Sequence, residues 1–190
     1  MDNQAIKRSP LDGLAGPTGV NVALREKSFI GKVQLRGNPD DEKFMKAVKA
    51  VIGTSLPTDA CRFNVGKSYS ACWMGPDEWL VLSNEDGQTA LLAGLEKALV
   101  NVNASAVDVS DYYVMINLSG QNARDILMKG TPLDVHPSKF SKGMCTNTLY
   151  AKATIFLMQI DDAPSYDIMV RWSMADYLWD YMRDGATEFG

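Results

Sequence analysis

The stretch VMINLSGQNARDILMKGTPLD, residues 114–134, repeats the organisation of VQLRGNPDDEKFMKAVKAVIGTSLP, residues 33–57. Each copy begins with the alternating apolar residues of a strand and passes through polar residues into an amphipathic helix. Each ends at a glycine followed by a Leu-Pro or Pro-Leu pair, and strand, turn and helix patterns follow it. The repeat predicts an α+β fold built from two ferredoxin-like β-α-β-β-α halves from a duplication, at about residues 31–100 and 113–185.

The ends of the repeated helices are marked by capping residues. In the first copy Asn38 is the predicted N-cap, and Gly53 is placed to end the helix in a left-handed turn. In the second copy Ser119 and Asn122 are predicted to open the helix, and Gly130 to close it. We therefore expect the two helices to occupy equivalent places in the two halves.

Between the first pair of helices lies CWMGPDEWLVLS, residues 72–83, in which two tryptophans flank a turn. The Gly-Pro-Asp-Glu sequence is typical of a tight turn, and both flanks alternate as strands do. Trp73 and Trp79 could form a binding platform or a cross-strand aromatic cluster. The pattern favours the second interpretation, a structural hairpin.

Composition and charge exclude several classes of protein. The 190 residues carry a net charge of −4 with scattered lysines and arginines, which favours neither nucleic acid nor an anionic membrane. The apolar stretches are too short to span a bilayer, and the polar N-terminus MDNQAIKRSP has no secretory signal core. Three dispersed cysteines fit reduced thiols better than a disulfide framework. The sequence thus predicts a cytoplasmic protein that binds neither nucleic acid nor membrane.

The residues that usually carry chemistry are sparse. His136 is the only histidine, and no orienting partner for it is evident. Cys145 could act as a nucleophile, but a small buried apolar role at a strand start is favoured. The glycines at 13, 16 and 19 follow no strand and so do not match a dinucleotide or phosphate loop. We predict no catalytic, cofactor-binding or metal-binding residue in this chain.

Two segments are suited to contact with another chain. Residues 1–20 have little periodicity and are predicted to form an extended N-terminal arm, with residues 21–190 as a single domain. The last helix, within residues 173–185, is apolar over more than one face. The alternative for the arm is that it lies on its own domain or stays loose in solvent. The predicted subunit interface consists of Leu11, Leu14, Tyr177, Trp179 and Tyr181.

Several stretches, in this order along nearly the whole chain, together resemble the gamma subunit of heterotetrameric sarcosine oxidase. The most specific are CWMGPDEWLVL and the pattern G-x-x-A-R-x-I-L-x-K-G-x-P-L-D-x-H-P within residues 108–137. The others are SPLDGL, QLRGNPDDEKFMKAVKAVIGTSLP, GMCTNTLYAKATIFL and VRWSMADYLWDYMRDG.

This resemblance implies a role in an oxidoreductase complex. Enzymes of this family demethylate sarcosine oxidatively to glycine, with hydrogen peroxide and formaldehyde as the other products, and tetrahydrofolate accepts the one-carbon unit. The resemblance implies alpha, beta and delta partner subunits. FAD, FMN, NAD and folate belong to the two large subunits and zinc to delta. It implies a folate-binding aminomethyltransferase fold without a cofactor, in a non-catalytic subunit that supports assembly.

Two alternatives stay open from the residues. One is a gamma-like subunit of a sister complex, such as an N-methylglutamate or dimethylglycine dehydrogenase. The other is a stand-alone folate-dependent protein of the aminomethyltransferase superfamily. The tetrapeptide KGMC, ending at Cys145, is similar to a motif of its iron–sulfur-repair branch. The glutamine and glutamate that should follow that cysteine are absent, because Thr146 and Asn147 stand there.

Overall fold

The structure is a computed structural model that describes residues 7–189, so the first six residues of the predicted arm and Gly190 lie outside the described residues. Its strands are β1 (Ala23–Glu26), β2 (Ile30–Gly37), β3 (Phe63–Val65), β4 (Tyr69–Gly75), β5 (Glu78–Glu85), β6 (Ala104–Asp108), β7 (Tyr113–Ser119), β8 (Cys145–Tyr150), β9 (Ala153–Asp161) and β10 (Ser165–Arg171). Its α-helices are α1 (Glu42–Ile52), α2 (Gln88–Ala98), α3 (Ala123–Met128) and α4 (Ala175–Ala186). Short 3₁₀ turns lie at Ser110–Tyr112, Trp172–Met174 and Thr187–Phe189.

The strands form two antiparallel five-stranded sheets with matching spatial orders. One sheet has the order β3-β4-β5-β2-β6, and the other has β8-β9-β10-β7-β1. Helices α1 and α2 pack on the outer face of the first sheet, and α3 and α4 pack on the outer face of the second. A third apolar cluster, which includes Cys72, Leu80, Met115 and Phe156, lies between the facing sheets. The layers are therefore helix, sheet, sheet, helix, which confirms the predicted duplication.

Each half has five strands, two more than the three of the predicted β-α-β-β-α pattern, because β3 and β8 precede the predicted hairpins and β6 and β1 add a further edge. Strand β6 follows α2 and completes the first half by pairing with β2. Strand β1 completes the second half, although it precedes the whole first half in the sequence, by pairing with β7 from Ala23↔Ser119 to Glu26↔Ile116. Gly120 lies directly against the backbone of Asn21 and has a φ of 111°, where a side chain would be strained. The boundaries of the second half, predicted at 113–185, must therefore be extended to include residues 23–26.

The hairpin of the two tryptophans forms as predicted, and Trp73 and Trp79 are cross-strand partners in β4 and β5. Trp79 is fully buried, and its Nε1–H donates a hydrogen bond to the Pro57 carbonyl at 2.8 Å. Its ring lies 5.7 Å from the Phe44 ring of α1 at an interplanar angle of 42°. Trp79 thus joins the hairpin to the helix layer, which is the structural role the sequence indicated.

The predicted helix starts need correction. Helix α1 begins at Glu42, and its N-cap is Asp41, whose carboxylate accepts from the Lys43 N–H at 2.8 Å. Asn38 instead accepts from the Asp40 N–H at 3.0 Å, in a local turn that leads the chain out of β2. Helix α3 begins at Ala123 with the predicted Asn122 as its N-cap residue, whereas Ser119 still belongs to β7. The predicted stop at Gly53 is confirmed, with a left-handed φ of 71°.

Among the described residues no helix has the length and apolar character needed to cross a membrane.

Candidate functional site

The two sheets are joined along one side and enclose a cavity elsewhere. Near β3 and β8 the two sheets are linked by an isolated antiparallel β-bridge between Arg62 and Met144. The Cys145 N–H also donates to the Cys61 carbonyl there, at 2.9 Å. Around β1, β2 and β7 a cavity of about 520 Å³ is lined by residues of both sheets and by the N-terminal segment. This volume lies within the range of small-molecule sites.

Lys32 of β2 is the most unusual residue of the cavity wall. Its side chain is part of the cavity lining, yet the residue is only 2% exposed. The ammonium donates to the carbonyls of Ile30 at 2.7 Å and Ser110 at 3.3 Å. Among residues 7–189 no carboxylate oxygen lies within 4.0 Å of the Lys32 Nζ, so Lys32 forms no ion pair with them. Burial lowers the pKa of Lys32 from its ordinary 10.5 to about 8, although nearby carboxylates oppose the shift.

The corresponding position in the second half carries an apolar residue. The cross-strand pairs Leu35↔Trp79 and Leu118↔Tyr166 occupy matching places in the two sheets. Three residues before each leucine stand Lys32 and Met115, and Met115 is buried in the cluster between the sheets. The site between the sheets therefore accommodates an apolar side chain in one half and a buried amine in the other.

Two of the other charged groups of the wall form ion pairs with acids outside it. Lys7 pairs with Asp86 and lies over the Phe29 ring at 4.1 Å from its centre. Lys27 pairs with Asp167 at 2.7 Å, and Glu26 accepts a hydrogen bond from the Ser9 hydroxyl. Within the described part of the chain, Arg8, Lys32 and Asp111 have no oppositely charged side chain in ion-pair contact.

Replacing Lys32 with Met is expected to stabilise the chain near pH 7. The folded-state pKa of about 8 lies below the ordinary 10.5, so at pH values below 8 folding buries a charged amine at a cost. Lys32→Met removes this cost, which is roughly 3 kcal/mol, but it also removes the two hydrogen bonds of the ammonium. The free energy of unfolding of the variant should therefore be about 1–2 kcal/mol higher than that of the wild type. The unfolded chain binds more protons between these pKa values, so the wild-type free energy of unfolding should rise from about pH 8 to about pH 10.5.

Urea unfolding of both proteins near pH 7 and near pH 10 measures this effect. The advantage of Lys32→Met should shrink at the higher pH, whereas Lys43→Met, at an exposed lysine of α1, should change little at either. An advantage of Lys32→Met that is the same at both pH values would show that the buried amine carries no such cost.

The sequence singled out His136 and Cys145, and neither of them is part of the cavity lining. His136 lies in an exposed loop, where its Nδ1 is 2.8 Å from the Ser138 hydroxyl. Cys145 is buried, its thiol donates to the Arg62 carbonyl at 3.2 Å, and burial raises its pKa to about 12. Such a thiol stays protonated and is a poor nucleophile. No group of three side chains suited to a metal ion occurs within residues 7–189.

The five predicted interface residues separate into two groups. Leu11 and Trp179 are 3% and 2% exposed and lie in the core beneath the second sheet, so they must be corrected from surface to core. Leu11 is drawn there because the N-terminal segment packs on its own domain as it leads into β1. Leu14 and Tyr181 are each 40% exposed, and Tyr177 is half-buried with its ring 6.0 Å from that of Tyr181. Only these three side chains remain available for contact.

Sequence reasoning missed Lys32 and the cavity. The only available signal was a lysine within the strand pattern FIGKVQLRG, at the place where the second copy has methionine. An alternating strand normally directs such a lysine to solvent. A second sheet covers that face here, and a single strand pattern does not reveal this.

Comparison with known proteins identifies the family. The profile of the "Sarcosine oxidase, gamma subunit family" matches residues 36–188. The sarcosine oxidase subunit gamma of Corynebacterium sp. (strain P-1) is 30% identical over 200 residues, covering 100% of this chain and 94% of that one. A chain of the heterotetrameric sarcosine oxidase from Corynebacterium sp. U-96 superposes with a TM-score of 0.87 at 28% identity, covering 96% of both chains.

A more distant similarity concerns the fold alone. The glycine cleavage system aminomethyltransferase T of Bartonella henselae gives a TM-score of 0.58 at 16% identity, covering 86% of this chain and 45% of that one. The predicted likeness to the aminomethyltransferase fold is thereby confirmed. From the profile match, the relative aligned over 100% of this chain and the superposition over 96% of both chains, the chain belongs to the sarcosine oxidase gamma subunit family.

Proposed function

We propose that this chain is a non-catalytic gamma subunit that supports assembly of the cofactor-bearing subunits of a heterotetrameric sarcosine oxidase. The observation that carries the proposal is the superposition on a chain of such an enzyme over 96% of both chains. Agreement over 96% of both chains means that the two proteins share the same backbone arrangement of strands, helices and connecting loops. The absence of a three-residue metal-binding group within residues 7–189 is compatible with a supporting role.

The reaction proposed for the complex is the oxidative demethylation of sarcosine to glycine, with tetrahydrofolate as the one-carbon acceptor. The proposed partners are alpha, beta and delta subunits, which would hold FAD, FMN, NAD, folate and zinc, in the cytoplasm. The support for these details is the family resemblance. In this chain, the lone histidine is exposed and two of its three cysteines are fully buried, so acid–base or thiolate chemistry gains no support from it.

The contact surface proposed for assembly includes Leu14 and Tyr181. Both belong to the large hydrophobic side chains of the described residues that remain exposed, and tyrosine is frequent in the centres of interfaces. The Tyr181 ring is held edge-on by Tyr150, with ring centres 5.6 Å apart. A side chain fixed in this way loses little conformational freedom when a partner covers it.

Arginine at these two positions is expected to weaken assembly without unfolding the chain. Leu14→Arg and Tyr181→Arg each place a charge on a surface proposed to be covered, which should lower recovery of the partner subunits about tenfold or more. The measurement is co-purification after co-expression with the two large subunits. Val100→Arg, at a valine 75% exposed after α2, is the matched control and should leave recovery unchanged. Equal recovery with all three variants would remove Leu14 and Tyr181 from the interface.

Point variants test this surface better than removal of residues 1–20. That truncation would also remove Leu11 from the core, where it packs in the same cluster as Leu24 and Trp179. It would further remove the Val20 carbonyl, which accepts from the Gln121 N–H at 3.2 Å. Weaker binding by the truncated chain could then reflect lost stability rather than a lost contact.

A further inference from the structure

The wall of the cavity between the sheets contains the buried amine of Lys32 together with apolar and aromatic side chains. Lys32 Nζ makes two hydrogen bonds to carbonyls, and an ammonium group has three N–H donors. The cavity volume of about 520 Å³ exceeds what one side chain or a few waters fill. The apolar and aromatic lining residues are Phe29, Ile30, Tyr113, Val114, Met115 and Trp172.

Within residues 7–189, the charged side chains of the cavity wall leave Lys32 without an ion-pair partner. Four basic side chains and two carboxylates line it. Two of the basic side chains are paired with acids that are not part of the lining, since Lys7 contacts Asp86 and Lys27 contacts Asp167. Lys32 is thus a cation without a counter-ion among the described residues, in a place where water screens it weakly.

A buried amine of this kind is unfavourable for folding, and the second half has no charged residue at the matching position. The matching position in the second half is filled by Met115, which is 2% exposed in the same layer between the sheets. A costly polar residue on the wall of a cavity, where an apolar one packs equally well, is typical of a binding position.

We propose that this cavity binds a small organic anion, whose carboxylate contacts the Lys32 ammonium and whose flat apolar body lies against the aromatic wall. The carboxylate supplies the counter-ion that the protein lacks there, and the apolar part removes aromatic surface from water. A neutral molecule of the same shape gains only the second effect. Binding should therefore discriminate sharply between a carboxylate and its amide.

The affinity should also depend on pH. An anion beside Lys32 favours the protonated amine, so binding should weaken as the pH rises above about 8 and the amine of the free protein loses its proton. The titratable and charged groups that face Lys32 or share its cavity come from the N-terminal segment, β1, β6 and the turns beside them. They are Lys7, Arg8, Glu26, Lys27, Asp108 and Asp111.

The test uses 2-naphthoate and its neutral analogue 2-naphthamide with the full-length chain, measured by isothermal titration calorimetry. Near pH 7 the wild-type chain should bind the acid at least about tenfold more tightly than the amide. Lys32→Met should lose that preference and bind the acid about tenfold more weakly, whereas Lys43→Met should behave as wild type. Near pH 9 the wild-type affinity for the acid should fall severalfold, and that of Lys32→Met should not change.

The comparison of acid and amide on the wild-type chain needs no variant and so does not depend on how Lys32→Met folds. Equal affinity of the wild-type chain for both compounds would overturn the proposal. So would failure of both to bind at millimolar concentration, or a preference for the acid that persists in Lys32→Met.

Discussion

A chain that begins at residue 27 is expected not to fold cooperatively. Its second sheet would lack β1, which pairs with β7 over four residue pairs. It would also lose Leu11, Val22 and Leu24, each 3% exposed or less, from the core that contains Trp179. At about 1.5–3 kcal/mol for each buried side chain, the loss is roughly 5–9 kcal/mol, comparable to the whole stability of a typical domain.

The thermal transition followed by circular dichroism measures this effect. The full chain should show a cooperative transition, and the chain starting at residue 27 should show none. A synthetic peptide of residues 7–28 should restore the transition when added. It contains β1, which can pair with β7 without being covalently joined to the rest of the chain. The same peptide with Leu24→Asp should not restore it, since a carboxylate would enter the core. A truncated chain that melts cooperatively near the wild-type temperature would refute the assignment of β1 to the second half.

Trp79→Ala is expected to lower the free energy of unfolding by about 3–5 kcal/mol. The ring is fully buried between the hairpin and α1, where it contacts Phe44. Truncation leaves a large cavity, and the Pro57 carbonyl loses the indole N–H that donates to it at 2.8 Å. Urea unfolding followed by far-ultraviolet circular dichroism gives the difference.

The matched control is Trp73→Ala, at the cross-strand partner of Trp79. Trp73 is only partly buried, so its truncation should cost less than about 2 kcal/mol. If the two substitutions lower the free energy of unfolding equally, the hairpin does not depend on the burial of Trp79, and the structural role given to Trp79 is wrong.

The repeat could be recognised from the sequence because its signals are local. Strand alternation, helix periodicity and the left-handed stop at Gly53 each lie within a few residues of one another. Strand β1 could not be recognised, because it has four residues and its partner β7 lies about 90 positions later. The position of the first N-cap could not be predicted either, because Asn, Asp and Ser suit both a turn and a cap, and the sequence gives no means of choosing Asp41 over Asn38.

The predicted interface residues could also be only partly assigned from the sequence. An apolar helix face indicates burial, but the sequence does not say whether its own core or another chain covers it. Trp179 is covered by the chain itself, whereas Tyr181, two residues later, remains 40% exposed. Lys32 is the opposite case, since a charged residue in an alternating strand predicts exposure and the second sheet buries it. The first outcome depends on how α4 packs on the second sheet, and the second depends on how the two halves face each other. No local pattern encodes either.

Co-expression of the tagged chain with the alpha and beta subunits of a heterotetrameric sarcosine oxidase is the direct test of its proposed role as a subunit. We expect the full-length chain to retain both of these subunits through affinity purification and gel filtration. The purified assembly should oxidise sarcosine, and the chain alone should not. Full-length chain that is folded by circular dichroism yet never co-purifies with a flavoprotein would contradict the assignment of this protein as a subunit of that enzyme.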